Sequence, residues 1–239
     1  MARGHVVEHN SKALWILGPS AAGKSWLLRD AFLQVPPGAL VVDGEHIREA
    51  SESWAAAMSA ARSKGLLGFT DYFRDFFKNA SDCLKERVVS EALASRTNLV
   101  IPDTASNLSA SCKLIDRLLE LGYDFRLVCV YAEPPACETR GRHRESEEGK
   151  RYTSTNWTVS VQAMFQIIAH CRARGAEAVA SEVRILNNTG PAPPHDISLQ
   201  RLAELLFLHR HGLGSEEPPL EVEVQPEDIR YIAEGAMNI

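Results

Sequence analysis

The stretch LWILGPSAAGKSWLL, residues 14–28, joins a short apolar run to a loop of small residues that ends in Lys24 and Ser25. From Gly18 onward the loop matches the pattern G-x-x-x-x-G-K-[ST] without a gap. In this pattern backbone N–H groups curl around phosphate oxygens, the lysine reaches the β- and γ-phosphates, and the hydroxyl binds Mg²⁺. A predicted strand precedes the loop and a predicted helix follows it, as the pattern requires. The predicted nucleotide-binding residues are Gly18, Ser20, Ala21, Ala22, Gly23, Lys24 and Ser25.

Outward from this loop, apolar runs alternate with helical patterns along the chain. Strands are predicted at 13–17, 39–44, 98–103, 124–135 and 182–190, and helices at 24–35, 45–62, 70–96, 106–122, 159–175 and 198–212. This alternation predicts an α/β protein of the P-loop NTPase fold, with a mainly parallel sheet and helices on both faces. Ligands of such sheets bind beyond the C-terminal ends of the strands. The chain divides into a predicted P-loop domain, 1–212, and an acidic tail, 213–239.

Composition argues against several other classes of protein. The 239 residues carry a formal net charge of −5, so the chain as a whole is not basic and is not expected to bind nucleic acid through its overall charge. No apolar run has the roughly 18 residues of a membrane span, and the first residues lack the apolar core of a signal peptide. The 5 cysteines show no metal-ligand spacing, which is typical of reduced thiols. These features predict a cytoplasmic protein with neither membrane nor nucleic acid as a partner.

Acidic residues follow the second and third predicted strands. The segment VVDGEHIRE places Asp43, Glu45 and Arg48 at one strand end, and VIPDT places Asp103 and Thr104 at the next. A kinase needs a carboxylate that orients the acceptor hydroxyl and takes its proton, and Asp43 and Glu45 are the candidates. The alternative for these two acids is a helix N-terminus, where the helix dipole favours negative charge.

The remaining polar residues at these strand ends are predicted substrate contacts: Arg48, Asp103 and Thr104. Asp103 is in addition a candidate for holding a Mg²⁺ water, and it could equally cap the helix that follows.

Arginine is concentrated in the segment 134–151. Arg140, Arg144 and Arg151 are candidates for a lid that folds over the nucleotide and neutralises charge on the transferring phosphoryl group. The alternative is a solvated helix face on which arginine and glutamate form i,i+4 pairs. We expect one or two of the arginines in this segment to be functional.

Taken together and in this order, the segments resemble the zeta-toxin family of P-loop kinases, from about residue 13 to about residue 190. LWILGPSAAGKS looks like the family's first strand and loop, LVVDGEHIRE like its D-x-D strand, and NLVIPDT like its third strand. LLELGYDFRLVCVYAEPP matches its helix–Gly-Tyr–strand–Pro pattern. The R-x-x-x-R motif followed by GKRY looks like its arginine lid. SEVRILNNTG is similar to its last strand and the turn near the adenine, which implies Asn187 as a nucleotide contact.

The resemblance implies ATP and Mg²⁺ as cofactors, held by Lys24 and Ser25, and Glu45 as the base that activates the acceptor hydroxyl. Arg140 or Arg144, together with Arg151, would be the lid cations.

In three places the chain departs from the family's pattern. Glu45 stands where the family has Asp, Pro102 stands where it often has an acid, and GKRYTS lacks the Pro that often follows the lid arginine. These changes bear on the identity of the acceptor substrate more than on the ATP site.

The resemblance further implies transfer of the ATP γ-phosphate to a hydroxyl of a small molecule or nucleotide, with a sugar nucleotide like UDP-N-acetylglucosamine favoured. It also implies an antitoxin protein as a partner. Two alternatives stay open. One is a detoxifying or metabolic kinase resembling chloramphenicol phosphotransferase or adenylylsulfate kinase. The other is a non-catalytic nucleotide-binding switch.

Overall fold

The computed structural model describes residues 7–65, 77–148, 151–176, 178–179 and 182–212. The predicted acidic tail, 213–239, and the first part of the predicted helical stretch at 70–96 lie outside the described residues. The division into a kinase domain and a tail therefore stays a prediction.

Six strands form one sheet at the centre of the protein. They are β1 (Lys12–Leu17), β2 (Leu40–Val41), β3 (Leu99–Asp103), β4 (Asp124–Tyr131), β5 (Arg184–Asn187) and β6 (His195–Asp196). Their order is β2-β3-β1-β4-β5-β6, so β1 lies between β3 and β4 and runs parallel to both. Among the described strands, β6 alone runs antiparallel to its neighbour, β5. This sheet confirms the predicted mainly parallel α/β fold.

Eight helices of four residues or more surround the sheet within the described residues. They are α1 (Lys24–Arg29), α2 (Gly44–Glu49), α3 (Glu52–Ser63), α4 (Lys78–Ala94), α5 (Leu108–Glu120), α6 (Pro134–Glu148), α7 (Trp157–Ala173) and α8 (Leu199–Arg210). A short 3₁₀ turn, Ser154–Asn156, precedes α7.

Burial explains why β1 is a continuous apolar run. Every residue from Ala13 to Leu17 is at most 2% exposed, so β1 is covered on both faces. In register, Trp15 stands opposite Ile101 of β3 and Leu127 of β4. Because β1 is central and parallel to both neighbours, the loop after it emerges at the C-terminal edge of the sheet beside the ends of β3 and β4.

Several predicted elements are shorter in the structure than in the sequence pattern. The helix predicted at 24–35 ends at Arg29, because Ala31 takes a left-handed conformation with φ of 55°. The strand predicted at 39–44 is only Leu40–Val41, since Asp43 already caps the next helix.

Other boundaries differ because of local capping. The helix predicted at 45–62 divides at Ser51, whose side chain accepts a hydrogen bond from the N–H of Trp54. The prolines expected to stop the strand at 124–135 begin α6, since the first turn of a helix tolerates proline.

Candidate active site

The loop between β1 and α1, residues 18–25, is held in a tight curl by its own backbone. Ala21 and Gly23 take left-handed conformations, with φ of 64° and 96°. The N–H of Gly18 donates to the Asp103 carbonyl at 3.1 Å, which ties the loop to the end of β3. A Cβ on Gly18 would lie 2.5 Å from the carbonyl oxygen of Val130, so only glycine fits there. The curl is that of a phosphate cradle.

Lys24 lies folded onto this loop. Its Nζ donates to the carbonyls of Gly18 at 2.7 Å and Pro19 at 2.9 Å. Burial lowers the pKa of Lys24 to about 8, with Asp103 opposing that shift and the charge of Arg144 adding to it. A half-buried cation whose direct partners among the described residues are neutral carbonyl oxygens is suited to an anion, and the phosphates of ATP supply one.

Ser25 and Asp43 are joined by a hydrogen bond. The Ser25 hydroxyl donates to Oδ2 of Asp43 at 3.2 Å, and the N–H of Glu45 donates to Oδ1 at 3.0 Å. Burial by itself would raise the pKa of Asp43, but the N–H of Glu45, the charge of Lys85 and the Ser25 hydroxyl outweigh it and lower that pKa. Asp43 is therefore a carboxylate that caps α2 and orients Ser25, the predicted Mg²⁺ ligand.

The Glu45 carboxylate is placed differently from that of Asp43. Its side chain is half-buried in the first turn of α2 and lines the same cavity as Lys24, Ser25 and Arg144. Within the described part of the chain, no hydrogen bond or ion pair engages this carboxylate. It is thus available to accept a proton from a molecule in the cavity.

Asp103 ends β3 and fastens the turn into α5. Its Oδ1 accepts from the N–H of Ala105 at 3.0 Å and its Oδ2 from the hydroxyl of Ser111 at 2.9 Å. These bonds favour the turn-capping role, although each oxygen keeps a lone pair. The half-buried Thr104 also lines the cavity. A metal role for Asp103 and substrate roles for both residues stay predictions.

Helix α6 brings two of the three predicted lid arginines towards the loop. Arg140 donates through Nη2 to the carbonyl of Thr189 at 3.3 Å, while its buried Nη1 has no partner among the described residues. The Nε of Arg144 lies 3.4 Å from Oε2 of Glu148. Arg151, beyond the helix, is exposed and lines the cavity. The movement of a lid stays a prediction.

Arg48, predicted to contact substrate, is one of the few buried charged residues. It is 4% exposed, and its Nη2 lies 3.2 Å from Oε2 of Glu148 at the end of α6. The guanidinium therefore bridges α2 and α6.

The residue that supports the loop from β5 is Asn188, which sequence analysis did not single out. Its side-chain N–H donates to the carbonyl of Ala22 at 2.8 Å, and a Cβ on Gly23 would lie 2.2 Å from that nitrogen. The adjacent residue, Asn187, which the resemblance implies as a nucleotide contact, instead accepts hydrogen bonds from the N–H and the hydroxyl of Thr189. No local pattern distinguishes the two asparagines, since the difference lies in the contact across the fold.

The cavity above the sheet edge has a volume of about 1550 Å³. It extends from the loop past α2 to α4, α5 and α6. Pockets for one drug-sized ligand measure about 300–1,000 Å³, so this one has room for a nucleotide and a second molecule. Within the described residues, no helix combines the length and the apolarity that crossing a membrane requires.

A parallel sheet with a phosphate-binding loop after its central strand, and arginines facing that loop, is the architecture of P-loop kinases. The family model described as Zeta toxin matches residues 5–200, so the chain belongs to the zeta toxin family, whose members are ATP-dependent kinases that generally use Mg²⁺. This confirms the resemblance found from the motifs.

A solved structure supports the same fold. It comes from the molecular and structural characterization of the PezAT chromosomal toxin–antitoxin system of the human pathogen Streptococcus pneumoniae. The two chains are 17% identical and superpose with a TM-score of 0.57, covering 99% of this chain and 90% of the other. A comparison with curated proteins gave no match.

Proposed function

We propose that the protein transfers the γ-phosphoryl group of ATP to a hydroxyl of a sugar nucleotide like UDP-N-acetylglucosamine. The observation that carries this proposal is the half-buried Glu45 carboxylate, which no described residue engages, in the cavity that Lys24, Ser25 and Arg144 also line. A nucleotide-binding switch needs the loop but has no need of such a base. The site thus favours transfer over the switch alternative.

In the proposed step, Glu45 accepts the proton of the acceptor hydroxyl while the oxygen of that hydroxyl bonds to the γ-phosphorus. The bond between that phosphorus and the bridging oxygen breaks, and ADP leaves with the electron pair. Lys24, Arg140 and Arg144 offset the negative charge on the phosphoryl oxygens. Mg²⁺ held at Ser25 would neutralise charge on the β- and γ-phosphates.

Asp43 is a weaker candidate for the base than Glu45. Both its oxygens already accept hydrogen bonds, one from Ser25 and one from the N–H of Glu45. Its proposed role is to orient the Ser25 hydroxyl. The longer Glu45 side chain lies on the first turn of the helix that Asp43 caps, and its carboxylate has no partner among the described residues.

The charges beyond Glu45 favour an anionic acceptor. On α4 and α5 the cations that line the cavity are Lys78, Lys85, Lys113 and Arg117, and the acids are Asp82 and Glu86. The diphosphate of a sugar nucleotide would be attracted by this excess of positive charge, whereas a neutral alcohol such as chloramphenicol would not.

The partner and the location are also proposals. The structural neighbour is described as part of a toxin–antitoxin system, which supports an antitoxin protein as the partner of this chain. A kinase of this kind would act in the cytoplasm, where ATP is supplied.

The proposal is tested by incubating the purified chain with Mg²⁺-ATP and single acceptors: UDP-N-acetylglucosamine, UDP-glucose, chloramphenicol and adenylylsulfate. ADP release and the mass of the acceptor are measured, with controls that omit the acceptor or chelate the Mg²⁺. We expect ADP release and a phosphorylated product with UDP-N-acetylglucosamine. Product from chloramphenicol or adenylylsulfate alone would establish the detoxifying or metabolic alternative. ATP binding without any product would establish the switch.

A further inference from the structure

Two helices that carry proposed functional residues are joined by one buried ion pair. Arg48 of α2 and Glu148 of α6 approach to 3.2 Å, with the Arg48 side chain 5% and the Glu148 side chain 29% exposed. A guanidinium this buried is stable only when a carboxylate compensates its charge. The pair joins the end of α6 to α2.

The same carboxylate oxygen is shared with a second arginine. Oε2 of Glu148 lies 3.4 Å from the Nε of Arg144, one turn earlier on α6. One negative charge thus serves one cation from each helix. If that charge were removed, both guanidinium groups would lose the carboxylate that they share, and with it the attraction that draws them to the same point.

The spacing along each helix links this contact to the proposed chemistry. Glu45 lies three residues before Arg48 on α2, and Arg144 lies four residues before Glu148 on α6. Residues three or four apart lie on the same face of a helix. The base and the arginine are therefore presented on the two faces that the ion pair joins, and both line the cavity.

Two further observations support this arrangement. Arg62 of α3 donates to the backbone carbonyl of Glu147, so a second tether holds the same end of α6. Arg144 lines the same cavity as Lys24 of the phosphate-binding loop.

We infer that the Arg48–Glu148 ion pair is a positioning clasp, which fixes the distance between the base Glu45 and the phosphoryl-stabilising Arg144. Because Arg48 still pairs with Glu148, Arg144 can turn towards the γ-phosphate without leaving the partly buried Glu148 carboxylate uncompensated. Glu148 and Arg48 are thus positioning residues that act through their neighbours. The inference rests on the proposed function.

The test compares Glu148→Gln with the matched control Glu138→Gln. Glu138 is on the same helix and also pairs with an arginine, Arg142, but both side chains of that pair are exposed. We expect E148Q to lower kcat by about 100-fold, because a displacement of about 1 Å costs that much, while the Kd of ATP changes less than about threefold. E138Q should match the wild type. A kcat of E148Q within twofold of the wild type would overturn the inference.

A second variant guards against loss of folding. In Arg48→Met/Glu148→Gln both members of this pair are neutral, so neither is left as an unpaired charge facing the other. Its kcat should fall no further than that of the less active of the two single variants, Arg48→Met and Glu148→Gln, because both residues act through one contact. A loss of kcat equal to the product of the two single losses would contradict a shared contact.

Hydrogen exchange of the full chain separates this inference from the proposed function. With bound ATP, we expect E148Q to raise amide exchange at 44–49 and 144–148 and to leave the rest as in the wild type. A uniform rise, or none at those two helix ends, would overturn the clasp. If the wild type transfers phosphate to no acceptor, the proposed function alone fails, and the exchange result still decides the clasp.

Discussion

The two ends of the cavity are built on different principles. At the phosphate end, Lys24 is held by two backbone carbonyls and Ser25 by Asp43, while Asn188 secures the carbonyl of Ala22. At the acceptor end the Glu45 carboxylate has no partner in the described part of the chain. One end is fixed by contacts within the chain, and the other offers a side chain to the molecule that binds there.

This difference shows which part of the cavity binds ATP and which part selects the acceptor. A cradle made by the backbone fits the phosphates of any nucleoside triphosphate, which is why many reactions use the same loop. The acceptor end depends on individual side chains of α2, α4 and α5, so exchange of a few of them could change the substrate. Variants at the phosphate end should therefore affect ATP binding, and variants at the acceptor end should affect transfer alone.

The largest expected effect comes from breaking the phosphate end at Lys24. We expect Lys24→Ala to lower kcat/KM by about 1000-fold, since it removes the cation nearest the phosphates. Its melting temperature should not fall, because the buried ammonium is itself costly to desolvate. ADP release and thermal melts measure both effects. The control is Lys12→Ala, at the exposed start of β1; equal losses in the two variants would contradict the account.

The pH dependence of ATP binding sharpens the same comparison. The pKa of Lys24 is about 8, so the free protein loses this positive charge as the pH rises above that value. We expect ATP affinity to fall about tenfold between pH 7 and pH 9, because one unit of pKa corresponds to a factor of ten.

The control for this pH dependence is Lys24→Arg, whose charge persists across the range. Calorimetric titration should show a much flatter profile for this variant. An identical slope in the wild type and the variant would show that another group titrates.

A smaller effect is expected at Asn188, which acts on the loop from outside it. Asn188→Ala removes one hydrogen bond of about 1 kcal/mol to the carbonyl of Ala22, so the Kd of ATP should rise about fivefold. The matched control is Asn187→Ala, which affects its own turn rather than the loop. A larger effect at Asn187 would restore the sequence-based expectation that this residue contacts the nucleotide.

The features that could be predicted from the sequence are those with a local cause. The phosphate-binding loop, the apolar strand before it and the parallel sheet follow from short patterns of residue size and apolarity, and the family followed from their order. Strand β6 was missed because it is two exposed residues, His195 and Asp196, with no apolar alternation.

The features that could not be predicted depend on contacts between distant residues. Arg48 and Glu148 are 100 positions apart, and nothing local to either residue indicates that they meet. Asp43 and Glu45 look interchangeable in the sequence, but only the fold shows that the first caps a helix and that the carboxylate of the second meets no partner among the described residues.

The central claim is that Glu45 serves transfer and not ATP binding, and the most direct test compares Glu45→Gln with Glu49→Gln. Glu49 is exposed at the end of the same helix. With Mg²⁺-ATP and UDP-N-acetylglucosamine, we expect E45Q to lower kcat by about 100-fold or more with an unchanged Kd for ATP, and E49Q to match the wild type. A kcat of E45Q close to that of the wild type would contradict the account.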